Sequence, residues 1–306
     1  MAAPSRGESR SCYPSPMRTK KMERKLPVIA FAGGGALANG LAPELRRIGC
    51  RIDELAVRRT SEQAEALAKA TGAKLLLLKE AKFGAELIWL AVSDGAIAPV
   101  ARQLARRQRD WHGKIVLHSS GALSSRELEP LRAQGASVAS LHPMMSFVMG
   151  RRPKLDGVCF AVEGDAAAVK AASALARKLG GKVLHLEAAA KPAYHALGAM
   201  LSPLLVSHLE AALGIARQAG IAEKDARELL RPIVAGTIEN FLTLGPAGAL
   251  SGPLVRGDKA TVEAHLATLQ EPELALYKAL TAYAVECLPV KSRAAFRTLL
   301  KNAAGK

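Results

Sequence analysis

The chain has 306 residues, of which 49% are hydrophobic, and this is enough for two domains with full cores. Its 43 basic and 27 acidic residues give a formal net charge of +16, whereas only 4% of the residues are aromatic. The charge would attract anionic ligands, but the few aromatic residues and the lack of a groove-reading motif argue against a dedicated nucleic-acid module. The sequence contains no long uncharged apolar run of the kind that predicts a membrane span. Its four cysteines are scattered without C-x-x-C spacing, which indicates buried or idle thiols in a reducing cytoplasm.

The first 25 residues are rich in serine, proline and arginine, with seven basic and two acidic side chains. They contain no apolar stretch of the kind found in a secretory signal. We therefore expect residues 1–25 to form a disordered basic tail.

A buried parallel strand is predicted over residues 28–32, which are all apolar, and it runs into the triplet Gly33-Gly34-Gly35. The spacing Gly33-x-Gly35-x-x-Ala38 is the G-x-G-x-x-G/A fingerprint of a dinucleotide-binding fold. Gly33 allows a tight turn, and Gly35 lets a pyrophosphate approach the backbone at the start of the next helix. An ordinary turn is the alternative, but the strand before and the helix after the glycines favour a cofactor site.

A second strand, predicted over residues 51–57, ends at Arg58, with Arg59 and Thr60 beside it. An acidic side chain at this tip binds the ribose 2′-hydroxyl of NAD, whereas an arginine accommodates the 2′-phosphate of NADP. Asp53 has roughly the acidic spacing but lies near the start of the strand, so the sequence favours NADP. Thr60 could also cap the next helix, since Thr60-x-x-Gln63 fits a capping box.

Two more strands are predicted over residues 74–78 and 85–92, and the second is followed by Ser93 and Asp94. In doubly wound sheets, ligands lie at the carboxyl ends of the strands, so this loop is expected to contact the cofactor. Asp94 could instead cap the following helix. The predicted cofactor-binding residues are Gly33, Gly34, Gly35, Ala36, Leu37, Arg58, Arg59, Thr60, Val92, Ser93 and Asp94.

The fifth and sixth predicted strands, residues 114–117 and 137–141, each deliver polar side chains to the same edge of the sheet. The fifth is followed by His118-Ser119-Ser120 and the sixth by His142. A neutral imidazole can take a hydroxyl proton while a hydride leaves the same carbon, and a serine can hydrogen-bond the substrate oxygen. His142 is therefore predicted to be the acid/base, with Ser119 or Ser120 orienting the substrate. The alternative is that the serines cap a helix and that His142 is structural.

Strands over residues 158–162 and 183–186 continue the sheet, and strand patterns stop near residue 188. This predicts a Rossmann-type α/β domain over residues 26–187, with a doubly wound and mostly parallel sheet. An all-α domain, residues 188–306, would follow and would carry the substrate and dimer contacts.

Residues 190–219 are apolar on most faces, which predicts a buried helix in a dimer core, interrupted at Pro203. His195, in the first turn, is a second proton-transfer candidate, although histidines also serve in helix packing. Arg256, on a predicted loop between helices, could bind a substrate anion or could be a simple surface residue. Asp258 is predicted to cap the next helix.

The motif order is a glycine turn, AVSD, HSSGAL, SLHPMMSF, AYHA and SGPLVRGD. Over roughly residues 26–290, this order resembles an uncharacterised family that joins an N-terminal Rossmann-like NADP-binding domain to a C-terminal helical domain of unknown function, domain of unknown function 2520. More distantly, the chain is similar to prephenate dehydrogenases and pyrroline-carboxylate reductases. The resemblance implies an oxidoreductase whose histidine and serine, here His142 and Ser119 or Ser120, engage the hydroxyl being oxidised, and whose helical domains dimerise.

Two features depart from these relatives. Ser202-Pro203 stands where family members commonly have Ser-Asn, and Ala36 and Ala38 replace bulkier or glycine residues of the glycine motif. The Lys-x-x-x-Asn pattern of hydroxyisobutyrate-type enzymes is also missing, since Lys191 is followed four residues later by His195, which argues against a lysine-based mechanism.

The leading hypothesis is a cytoplasmic, homodimeric, NADP-dependent oxidoreductase that acts on a small anionic hydroxy or imino substrate and needs no metal. A non-catalytic NADP-binding sensor or partner protein is the alternative, and nucleic-acid binding through the net charge ranks last.

Overall fold

The computed structural model describes residues 26–303, so the predicted basic tail lies outside the described part of the chain. The chain divides into two compact units, of which the first ends at Lys191 and the second begins at Pro192. The first unit is an α/β sheet structure and the second is helical, which confirms the predicted fold class.

The first unit contains one sheet of eight strands in the order β3-β2-β1-β4-β5-β6-β7-β8. Neighbouring strands are parallel except for β6 and β7, which pair in the antiparallel sense. The order reverses between β1 and β4, which creates the crevice at which doubly wound sheets bind ligands. The strands are β1 (Val28–Ala32), β2 (Arg51–Val57), β3 (Lys74–Leu77), β4 (Leu87–Leu90), β5 (Ile115–His118), β6 (Ser137–Pro143), β7 (Cys159–Gly164) and β8 (Lys182–His185).

Helices cover both faces of this sheet. Successive residues of β1 point to opposite faces of the sheet, and both faces are buried. Ile29 and Phe31 belong to one buried cluster, and Ala30 and Ala32 belong to another. The first cluster includes residues of α1, α2 and α5, and the second includes residues of α3 and α4. The helices are α1 (Ala36–Arg47), α2 (Glu62–Thr71), α3 (Asp94–Arg107), α4 (Glu129–Arg132) and α5 (Ala166–Lys178). Strands buried on both faces explain the unbroken apolar runs in the sequence.

The second unit has a small core of its own, formed by Val262, Val285, Val290, Phe296 and Leu299. The chain enters it through α6, whose first residue, Lys191, still belongs to the first unit. The predicted interruption at Pro203 is confirmed, because α6 ends at Leu201 and α7 begins at the proline. The helices are α6 (Lys191–Leu201), α7 (Pro203–Gln218), α8 (Glu223–Ala249), α9 (Pro253–Arg256), α10 (Lys259–Thr268), α11 (Glu273–Cys287) and α12 (Arg293–Asn302).

Helices α6 to α8 carry an apolar surface that is exposed in the single chain. Burial of residues 190–219 in a dimer core, as expected from the sequence, stays a prediction. Leu242 is 74% exposed and Val206 is 65% exposed, for example. Two helical stretches, Ala188–Gln218 and Glu223–Arg256, are long and apolar enough to cross a membrane by length and composition alone, which the sequence did not lead us to expect. Other members of this apolar surface are Leu197, Met200, Leu201, Leu204, Leu229, Ile233, Ile238, Phe241 and Leu244.

Candidate functional site

The glycine turn after β1 is fixed by contacts that only a glycine allows. Gly33 has a φ of +110°, and its N–H donates a hydrogen bond to the carbonyl oxygen of Ala56, at 2.8 Å. A Cβ on Gly33 would lie 2.2 Å from the carbonyl oxygen of Ala91, so any side chain would collide with the backbone. Asn39, one turn into α1, donates to the carbonyl oxygen of Gly34 at 2.8 Å and holds the turn from the helix side.

Gly35 differs from Gly33, because its backbone is unstrained and a Cβ on it would meet nothing within 4 Å. It stands at the N-cap of α1, whose first turn contains no acidic side chain. The position at which a side chain would stand is therefore open space, at the end of the helix where the first backbone N–H groups begin. An anion such as a pyrophosphate fits this arrangement of unpaired donors and helix dipole.

A cleft of about 520 Å³ lies beside this turn, at the carboxyl ends of β1, β2 and β4. Seven of the predicted cofactor residues line it, whereas Ala36, Leu37, Thr60 and Asp94 are not among its lining residues. Ser61 and several apolar side chains also line the cleft and were not predicted. The seven predicted lining residues are Gly33, Gly34, Gly35, Arg58, Arg59, Val92 and Ser93.

The arginines at the tip of β2 are exposed at the rim of the cleft. Asp53 lies at the other end of the strand, where its carboxylate is 3.4 Å from the guanidinium of Arg51. The capping box predicted from Thr60 is wrong by one residue, because Ser61 accepts the hydrogen bond from the N–H of Ala64, at 3.3 Å. Ser61 and not Thr60 is the N-cap, because Ser61 is the residue with extended backbone directly before α2.

The loop after β5 is held by the hydroxyl of Ser120. Its oxygen accepts hydrogen bonds from the N–H groups of Ala122 (3.2 Å) and Leu123 (2.9 Å), and it donates its proton to the carboxylate of Asp94, at 2.8 Å. A serine hydroxyl has one proton and two lone pairs, so these three bonds use its full capacity. Asp94 is the first residue of α3 and not its N-cap, and it ties the helix to this loop.

His118 is the second residue that fixes this loop. It is fully buried, its Nδ1 accepts from the N–H of Ser120 (3.1 Å), and its Nε2 lies 3.0 Å from the carbonyl oxygen of Ser124. Because a carbonyl only accepts, Nε2 must carry a proton. Because Nδ1 accepts a hydrogen bond, it carries none, so the ring is neutral. Burial is the main cause that lowers the pKa of His118 to about 4. Both nitrogens are thus occupied by structural bonds.

Ser119 differs from Ser120 in what its hydroxyl can still do. The indole Nε1 of Trp89, which is fully buried and stacked on Phe31, donates to the Ser119 oxygen at 2.8 Å. An indole N–H is a donor only, so the Ser119 hydroxyl acts as acceptor in this bond and its own proton can be donated to a ligand. Ser119 is half-buried at the carboxyl end of the sheet.

His142 lies inside β6 and not after it, because the strand continues to Pro143 through antiparallel pairing with β7, in which His142 faces Ala161. His142 is half-buried. Side chains at alternate positions of a strand share one face, so His142 and Ser140 are on the same face of the sheet. The hydroxyl of Ser140 donates to the carbonyl oxygen of Ser120 at 3.2 Å, which joins the middle of β6 to the loop after β5.

Lys191 is a site residue that the sequence did not reveal. It is 1% exposed, and its Nζ donates to the carbonyl oxygen of Ser120 (2.9 Å) and to the hydroxyl of Ser140 (2.8 Å). Burial lowers the pKa of its ammonium, and the negative charges of Glu163 and Asp94 oppose that effect. The sequence argued against a lysine-based mechanism, because His195 and not an asparagine stands four residues after Lys191.

The remaining predicted residues, His195 and Arg256, belong to the second unit and are exposed on it. Arg256 is the last residue of the short helix α9, and so it does not lie on a loop as predicted. Within residues 26–303, no group of three or more histidine, cysteine, aspartate or glutamate side chains could hold a metal ion.

Comparison with known structures shows the same fold in several proteins. BF3122 from Bacteroides fragilis, assigned as an NADP oxidoreductase, is 22% identical with a TM-score of 0.72, over 84% of this chain and 96% of that one. TM1727 from Thermotoga maritima is 23% identical with a TM-score of 0.65, over 90% and 100% of the two chains. A reductive aminase from Aspergillus terreus, solved with NADPH and ethyl-5-oxohexanoate, is 20% identical with a TM-score of 0.61, over 85% and 94%.

No curated protein sequence matches the chain. Two family models do match it: a Rossmann-like domain covers residues 16–143, and the domain of unknown function DUF2520 covers residues 158–284. The order of the two matches is the one that the sequence motifs predicted. The chain therefore has the two-domain architecture of the family that joins a Rossmann-like domain to the domain of unknown function 2520.

Proposed function

We propose that the chain is an NADP-dependent oxidoreductase that transfers a hydride between the nicotinamide and a small anionic hydroxy or imino substrate. The observation that carries the proposal is the pair of glycines at the cleft. Gly33 is required by its backbone, and Gly35 leaves open the space that a pyrophosphate would need. The architecture is shared with a reductive aminase solved with NADPH and with a pyrroline-5-carboxylate reductase from Coxiella burnetii, which favours a carbon–nitrogen double bond as the reacting group.

The residues around the cleft fit NADP. The N–H groups at the start of α1 would bind the pyrophosphate, and Arg58 and Arg59 would pair with the 2′-phosphate at the rim. Val92 and Ser93 would contact the cofactor at the end of β4. When bound, the nicotinamide supplies or accepts the hydride.

The polar residues at the ends of β5 and β6 would handle the proton. Ser119 would donate its hydroxyl proton in a hydrogen bond to the substrate oxygen or nitrogen, since the bond from Trp89 leaves that proton available. Ser120 has no such capacity, so we assign the substrate contact to Ser119 alone. His142 would give or take the proton that accompanies hydride transfer. His195 remains a proposed second proton carrier, and Arg256 a proposed partner for a substrate anion.

The direct test is a titration with NADPH and with NADH, followed by cofactor fluorescence. Arg58→Ala should weaken NADPH binding by about 10- to 100-fold, the value of a hydrogen bond between charged groups, and should leave NADH binding nearly unchanged. Gly35→Ala should weaken both cofactors, because the added methyl group occupies the space in front of α1, while the fold is kept. Arg107→Ala, an exposed arginine on α3, is the matched control. Absence of cofactor binding by the unmodified protein would refute the proposal.

Turnover separates an enzyme from an NADP-binding sensor, which would bind the cofactor equally well. We would screen small imines and hydroxy acids and follow NADPH absorbance. His142→Ala should abolish any activity without loss of cofactor affinity. An unchanged rate in His142→Ala would remove this histidine from the mechanism, and binding without turnover of any substrate would favour the sensor.

We further propose a cytoplasmic homodimer formed through the apolar surface of α6 to α8. Exposed apolar patches of this extent mark interaction sites in soluble proteins. Sedimentation should give a dimer for the unmodified protein, and Leu242→Glu should give a monomer. Leu184→Glu, on β8 of the first unit, should stay dimeric. Partition of the unmodified protein into membranes would contradict the proposal.

A further inference from the structure

Lys191 joins the loop after β5 to strand β6 through a single buried ammonium group. Its Nζ is 2.9 Å from the carbonyl oxygen of Ser120, in the loop after β5, and 2.8 Å from the hydroxyl of Ser140, in β6. The Ser140 hydroxyl in turn donates to the same Ser120 carbonyl. The three groups form a closed set of hydrogen bonds across two strands that carry the residues with proposed chemical roles.

Two of these three hydrogen-bonded groups lie next in sequence to, or on the same strand face as, the two residues with proposed chemical roles. Ser119 immediately precedes the carbonyl that Lys191 holds, and His142 is two residues after Ser140, on the same strand face. We propose that Lys191 is a positioning residue that fixes the spacing between the Ser119 hydroxyl and the His142 imidazole, a role that rests on the proposed function.

A purely structural role fits the chemistry of the site less well. Burying an ammonium without a directly bonded counter-ion is unfavourable, and even complete buried ion pairs can often be replaced by apolar side chains of similar volume without loss of stability. The nearby carboxylates do not hold the ammonium by direct bonds in the described chain, since Asp94 accepts from Ser120 and Glu163 accepts from the N–H (2.7 Å) and hydroxyl (2.9 Å) of Ser125. A methionine could fill a similar volume, but it could not donate to the Ser120 carbonyl and the Ser140 hydroxyl as the ammonium does.

The indole N–H of Trp89 gives a readout that needs no substrate, because it donates to Ser119. The chain has two tryptophans, and the indole of Trp111 donates to the carbonyl oxygen of Gln108 instead. In a ¹H–¹⁵N spectrum, Lys191→Met should move the Trp89 indole signal and leave the Trp111 signal in place. The indole signal that moves in Ser119→Ala is thereby assigned to Trp89, because this variant removes the acceptor of its hydrogen bond. Lys114→Met is the matched control, because Lys114 binds the carbonyl oxygens of residues 84 and 85 and should move neither signal.

Activity provides the second measurement. Lys191→Met should lower kcat by about 10- to 100-fold, the range expected from a small misplacement of reacting groups, with an unchanged Kd for NADPH. The melting temperature should stay the same or rise. In Lys191→Ala, added propylamine should restore the Trp89 signal, whereas propanol should not.

An unmoved Trp89 signal in Lys191→Met would overturn the proposal, as would an unchanged kcat. If Lys191→Met fails to fold, Ser140→Ala removes one acceptor of the ammonium and must move the Trp89 signal for the proposal to stand. If the protein binds no NADPH but the Trp89 signal still depends on Lys191, the proposed function fails and the link from Lys191 to Ser119 survives.

Discussion

His118 should make the protein less stable in mild acid. Its pKa is lowered from the ordinary value of 6.5 to about 4, first of all because burial disfavours the imidazolium, and the positive charge of Lys191 acts in the same direction. The hydrogen bond to the Ser124 carbonyl and the charge of Asp94 oppose the shift. The unfolded chain therefore binds a proton at His118 near pH 6.5, whereas the folded protein does so only near pH 4.

This difference sets both the sign and the size of the effect. Between these two pH values the unfolded state binds more protons, so the free energy of unfolding falls as the pH is lowered. At about 1.4 kcal/mol per pKa unit, the shift corresponds to a loss of about 3 kcal/mol once the pH has passed below both values. The contribution is fully present above the pKa of the unfolded chain.

Urea unfolding at a series of pH values measures this loss. His118→Asn removes the titrating group but keeps an acceptor for the N–H of Ser120, so its free energy of unfolding should be lower at neutral pH and much less dependent on pH. His185→Gln, which removes an exposed histidine at the end of β8, should keep the full dependence. An identical pH slope in His118→Asn and in the unmodified protein would refute the assignment of a buried neutral imidazole.

Three substitutions test the packing by urea unfolding. Gly33→Ala should destabilise by at least about 2 kcal/mol, since it combines a strained φ with a collision at the Ala91 carbonyl, and a smaller loss would contradict the tight turn. Ser61→Ala removes the cap that accepts from Ala64 and should cost about 1 kcal/mol, with no loss if Thr60 were the true cap. Phe296→Ala should cost about 3–5 kcal/mol, because its ring is fully buried in the second unit, and a negligible loss would argue against that core.

Much of the first unit could be predicted because its signals are local. The strand before Gly33 is apolar at every position and the turn after it needs a glycine, so β1 was predicted over its observed residues. The end of β6 could not be predicted in the same way. It depends on antiparallel pairing with β7, a partner that the residues around His142 do not specify.

The roles within the candidate site were hidden for a related reason. Ser119 and Ser120 are equivalent in sequence, and only their distant partners, Trp89 and Asp94, distinguish them. Lys191 bonds to groups that are 71 and 51 residues away, so no local pattern could reveal it. The apolar surface of α6 to α8 was expected to be covered by a second copy, and its exposure in the single chain leaves that prediction open to test.

The loop after β5 has one more consequence for binding. With the Ser120 hydroxyl and both His118 nitrogens already engaged, the backbone on either side of Ser119 has few alternative conformations to lose when a ligand arrives. Ordering a flexible segment usually takes up part of the binding free energy. Here that ordering would be completed during folding, so a ligand that binds beside Ser119 would not have to order this loop.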